Sequence, residues 1–166
     1  MDLPFPKDRQ MDNIRYLLGR IIEVVQYIEY NLSVALAYDA TIKGLEQEKA
    51  KKGFVDGKAK LAIATRANEL RASASTMTFG ALIATVSQAN IMEKKDLDEL
   101  EDILKTRNQL VHQFFKMNDF ETKKDNAGFL EEQVNYLKKF LNRINNFNAF
   151  LFKKATDTLN RLAKTQ

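Results

Sequence analysis

Both prolines of this chain, Pro4 and Pro6, fall within its first six residues. A proline inside a helix removes a backbone donor and clashes with the preceding turn. From residue 7 onward, long uninterrupted helices are therefore open to the chain. Glycine is sparse as well, with six in 166 residues. Apolar residues then set the period. Ile14, Leu17, Leu18, Ile21, Ile22, Val25, Ile28, Leu32, Ala35 and Leu36 recur at three- and four-residue steps, the spacing of one helix face. The spacing predicts a first helix from about Asp8 into the forties, some 35 residues and about 50 Å long.

Later segments read the same way. "KKGFVDGK" (51–58) holds two glycines and is the expected turn. "AKLAIATRANELRASAS" (59–75) is an alanine-rich second helix. Thr78 is placed to cap a short helix whose apolar face is Phe79, Leu82, Ile83 and Val86. After "NIMEKKD", a helix is expected from about Asp96 to Lys116. Its opening acidic run "DLDELED" complements the positive end of the helix dipole. A polar loop follows at 117–128. A last helix runs from Phe129 nearly to the end, its stripe continuous from Leu130 to Leu162. The expectation is an all-α fold, an antiparallel bundle of about four main helices plus a short additional one. It forms one domain over 1–166, with 1–8 as an extended N-terminal arm.

Composition narrows the chemistry. There is no cysteine, hence no disulfide and no thiolate metal site, and a single histidine leaves a zinc site short of ligands. The beginning "MDLPFPKDRQ" does not resemble a signal peptide. No stretch approaches the ~18 apolar residues of a membrane span. A cytoplasmic protein with neither metal nor cofactor is expected. The net charge of +4 is compatible with a polyanionic partner.

One stretch is out of keeping with this pattern. In "ILKTRNQLVHQFF" (103–115), Arg107 sits near the middle of an apolar stripe. On a wheel of about 100° per residue, Leu97, Leu100, Leu104, Val111, Phe114 and Phe115 lie within about 80° of it. Asn108 and His112, one turn apart, occupy the shoulder. The three form a polar notch that begins inside the stripe. Burying a guanidinium is expensive unless it is paired. Either Arg107 pairs with a glutamate of another helix, for which Glu23, Glu29 and Glu69 are available, or the notch receives an anion.

"RNQLVH" (107–112) resembles the R-x4-H motif of the HEPN superfamily, small helical bundles many of which are RNA-cleaving toxins. Asn108 matches the polar residue that commonly follows the arginine, and the third main helix is the usual place for the motif. The strong match spans about nine residues, whereas the bundle-level likeness spans most of the chain and is generic. The resemblance implies a metal-independent endoribonuclease of toxin–antitoxin or phage-defence type. In that reading His112 moves protons, Arg107 grips phosphate, and Asn108 orients the ring or binds phosphate. It implies an RNA substrate and a homodimer whose two motifs line one cleft. It also implies a neutralising or defence partner protein. Many relatives carry a modifiable tyrosine two residues after the histidine. This chain has Phe114 there, which has no hydroxyl to adenylylate. The alternative is a HEPN-like bundle without catalysis, binding a nucleotide, an RNA or a protein as a regulator. The lysine pairs, with Arg66, Arg71 and Arg143, are the cations available to line a groove, and "KMNDFETKKDN" is the loop best placed to touch substrate.

Overall fold

The computed structural model describes residues 7–165, and among these every regular element is a helix. The fold is all-α. The expected arm at 1–8 lies mostly outside the described residues, and the first helix, α1, already begins at Lys7. It runs to Lys52, 46 residues or about 69 Å, well beyond the expected 35. Gly53 ends it with a φ of 79°, a conformation that a side chain would strain. The remaining helices are α2 (Gly57–Ala74), α3 (Phe79–Ala89), α4 (Lys94–His112), α5 (Phe114–Met117), α6 (Phe120–Lys123) and α7 (Ala127–Thr165).

Side-chain caps mark the starts of α2, α3 and α7. Asp56 accepts from the Ala59 amide at 2.7 Å, Thr78 from Ala81 at 3.3 Å, and Asn126 from Phe129 at 3.0 Å. Each answers a backbone donor that the first helical turn leaves free.

Contacts fix the helix directions. Asn31 donates to Asn148 at 2.8 Å, and farther along Ile42 and Leu45 meet Leu162. Residue numbers rise together, so α1 and α7 run the same way. Helix α2 runs against α1. Arg71 reaches Tyr30 at one end. At the other, a Cβ on Gly44 would come within 3.0 Å of Ile63, a close approach that glycine permits. Helix α4 runs against α7, with Asp96 near Lys154 and Glu99 and Asp102 beside Arg143. The main core joins Ile14, Ile21, Ile28 and Leu32 of α1 to Leu82, Leu100, Ile103, Leu130, Leu137 and Ile144.

Two local expectations need correction. The helix expected to reach Lys116 stops at His112, because Gln113 leaves helical geometry at φ −133°. The polar loop at 117–128 holds the short helix α6, pinned by buried Phe120. Phe114, Phe115, Phe120 and Phe129 make a chain of ring contacts with centroids 4.9–5.4 Å apart. Such edge and tilted contacts add stability beyond burial, so Phe114 and Phe115 are packing residues.

Candidate functional site

Helix α4 buries Leu100, Ile103 and Leu110, with Phe114 buried just after it. Position 107 falls between Ile103 and Leu110 in the same three-and-four rhythm. Arg107 thus occupies a seam position, yet its side chain is half-buried rather than sealed. Its Nη1 donates to Asn108 Oδ1 at 3.1 Å. Arg107 and Asn108 are brought together directly.

Of the three carboxylates available to Arg107, Glu29 is the one it senses. Burial pushes the Glu29 carboxyl above its ordinary value, and the Arg107 charge pulls it partly back. No ion pair reaches Arg107 among the described residues. Glu23 is engaged by Arg20 and by the Tyr27 hydroxyl, while Glu69 is exposed on α2. A guanidinium facing a half-buried carboxylate without a closed ion pair keeps donors free for an incoming anion.

His112 is the last residue of α4, on the shoulder of the seam and exposed. Its ring makes no hydrogen bond among the described residues. Arg107, Asn108 and His112 share one helix, but the ring is not tied to the Arg107–Asn108 pair. Beside them the seam surfaces: Val111 is 42% and Phe115 43% exposed. Val111 lies on the helix that carries Arg107, whereas Phe115 follows the break at Gln113 and its ring already packs on Phe114 and Phe120.

The cations expected to line a groove divide. Arg143 is held by Glu99 through two bonds of 2.7 and 2.6 Å and by Asp102 at 2.6 Å. These carboxylates raise its pKa further, and the guanidinium bridges α7 to α4. Two of the five carboxylates of the acidic run, Glu99 and Asp102, thus have a structural task that dipole complementarity did not disclose. Arg71 donates to the Tyr30 hydroxyl at 2.9 Å and lies over that ring. In the loop after α4, Lys123 is drawn to Asp119 and the Phe129 ring, whereas Lys116 and Lys124 are exposed.

A cavity of about 410 Å³ opens beside the motif, lined by Gln109, Leu110, Phe114, Asn118, Gln133 and Tyr136. The three notch residues do not line it. The described residues bring no three His, Cys, Asp or Glu side chains together as metal ligands, and no helix among them is long and apolar enough to cross a membrane. Comparison with protein-family models, curated proteins and solved structures finds no match.

Proposed function

We propose that this chain is a metal-independent endoribonuclease of HEPN type, with Arg107, Asn108 and His112 as its catalytic residues. The observation that carries this reading is a guanidinium in a core-seam position that is neither sealed nor ion-paired, with an exposed imidazole on the same helix.

RNA supplies its own nucleophile. The 2′-oxygen attacks the adjacent phosphorus, losing its proton to a base. The 5′-oxygen leaves with a proton from an acid, giving a 2′,3′-cyclic phosphate and a 5′-hydroxyl. Neutral imidazole suits the first proton transfer and imidazolium the second. Arg107 can hold two phosphate oxygens through its fork and stabilise the charge building on the phosphorane-like centre. The hydrogen bond to Asn108 orients the fork, and the Glu29 carboxyl on α1 feels its charge.

One histidine cannot easily serve as base and acid in a single pass, so the reading includes a homodimer with both motifs in one cleft. Exposed Val111 and Phe115 supply apolar surface for that contact. The overall arrangement that goes with it is an antiparallel bundle of about four main helices plus a short one, supported by the opposed directions of α1 with α2 and of α4 with α7, although α1 and α7 run the same way. A protein partner in a toxin–antitoxin or defence pair belongs to the same reading. Phe114 lies buried in the aromatic chain, so that partner would act otherwise than by modifying this position.

The test is RNA cleavage in EDTA with the parent chain, His112→Ala and Arg107→Ala. Activity that survives chelation and falls by about 100-fold or more in each variant supports the proposal. Folded variants that cleave as the parent does would remove it. RNA binding that persists without cleavage in the parent would favour the non-catalytic regulator.

A further inference from the structure

We infer that the groove between α1, α2 and α7 docks an acidic amphipathic helix of a partner protein. The inference rests on α2 and its surroundings and is independent of the nuclease reading.

Helix α2 has 18 residues, yet only Ala67 and Ala74 are buried. Helices of that length hold their shape mainly through an apolar face packed against the rest of the protein, and α2 is packed on one side alone. Its Ile63 packs onto Gly44 of α1 and its Leu70 and Ala74 join the main core, while its opposite flank borders a cavity of about 390 Å³ between it and α7. The floor of this groove is low and apolar, built from Val34, Ala37, Ala64, Ala67 and Ala155. Its rims carry large side chains turned to solvent. Phe152 is 63% exposed and Leu159 42%, and Leu61, one turn before the lining residue Ala64, is 70% exposed.

Dimensions and composition favour a helix over other occupants. The α1 wall from Tyr30 to Thr41 spans roughly 16 Å, three helical turns. Alanines along a floor let a second backbone come close, and large apolar rims grip side chains recurring at three- and four-residue steps. A nucleic-acid strand would need ring faces in series for stacking. Of the rings that line the groove, Tyr30 is already covered by Arg71, which leaves Tyr38 and Phe152 on different helices.

Charge specifies the occupant. Of the charged residues of α2, Lys60 and Arg71 fall on the groove side, whereas Lys58, Arg66 and Glu69 lie on other faces. Lys60 precedes Ala64, Ala67 and Arg71 by four, seven and eleven residues, so it shares their face. Arg71 closes one end of the groove, clasped to Tyr30 at 2.9 Å but with further guanidinium donors remaining. A docked helix flanked by aspartate or glutamate meets these cations, whereas a basic helix is repelled.

The experiment uses the full chain and a phage-displayed library of 18-residue helices, with leucine fixed at three- and four-residue steps and all other positions randomised. The expected result is enrichment of clones rich in Asp and Glu. Their recovery falls at least about tenfold on Ala64→Trp, which fills the groove, and on Arg71→Glu, which reverses its charged end. Circular dichroism verifies that each variant is folded, and either folded variant suffices for the comparison. Four outcomes overturn the inference. These are no enrichment, enrichment of basic clones, enriched clones indifferent to both variants, and an oligomer of the chain that Ala64→Trp converts to monomer. The last would make a second copy of this chain the occupant.

Discussion

At position 107 the cost of desolvating a charge competes with the need for a reactive one. An arginine sealed in a core against a carboxylate is often no better than leucine, whereas a half-buried one retains much of its hydration. Arg107 is half-buried and its one hydrogen bond is to the adjacent Asn108. Replacing it by leucine is therefore expected to change stability by less than about 1 kcal/mol, while abolishing cleavage. A urea denaturation series beside the RNA assay measures both. The Glu29 carboxyl adds a pH signature. Its folded-state pKa lies above the ordinary value of 4.5 because burial disfavours the charged form. The protonated acid thus supports the fold. Its contribution is complete below the ordinary value and is lost as pH rises through the raised one. Glu29→Gln should accordingly gain on the parent in urea midpoint between pH 4 and pH 7, and a gap that does not widen would rule out the burial effect. Arg107→Ala removes the opposing charge and should move the Glu29 carboxyl higher still, visible in a carboxyl NMR titration.

At the scale of elements, the segment from Gln113 to Asn126 turns the chain from α4 into α7. Phe120 is its anchor, 5% exposed and in ring contact with Phe114, Phe115 and Phe129. Phe120→Ala should cost about 3–5 kcal/mol, and hydrogen exchange should show amides 114–124 losing protection before the core of α7. Arg143 is a different kind of fastener. Its carboxylate bonds are good in geometry but half-exposed, so Arg143→Ala should cost only about 1 kcal/mol and the loss should shrink in high salt. What the sequence discloses here follows from periodicity. The stripes of α1 and α7, the Thr78 cap and the face of α3 could all be read because each repeats a local rule. The break at Gln113 could not, since Phe114 and Phe115 continue the apolar rhythm and glutamine carries no stop signal. Nor could the reach of α1 to Lys52, since beyond Ile42 and Leu45, which pack with Leu162 and Ile63, the stripe gives way to mostly exposed charged residues. The seam position of Arg107 was legible, being a matter of spacing. Its partial exposure and the choice of Glu29 over Glu23 and Glu69 were not, because they depend on how α1 and α4 meet.

For the molecule as a whole, the proposed chemistry requires two protons to be handled by a chain that owns one histidine. A single copy can place one imidazole at a scissile phosphate, and two copies around a twofold axis place two. Val111 is exposed on α4, on the stripe that carries Arg107 and next to His112, so burying it against a second copy would bring the motifs together without disturbing the core. Subunit mixing makes this measurable. Suppose parent and His112→Ala chains are combined in equal amounts under conditions that exchange subunits. If each chain cleaves alone, about half of the activity per total chain remains, because the variant merely dilutes the parent. If every cleft needs both imidazoles, only parent–parent pairs are active, and random pairing leaves about a quarter. Val111→Lys, which places a charge on the shared apolar edge, should yield a folded monomer in light scattering and remove cleavage while leaving His112 in place. A monomeric Val111→Lys chain that still cleaves, together with a mixing curve that follows simple dilution, would put all the proton transfers within one copy and the composite cleft out of the mechanism.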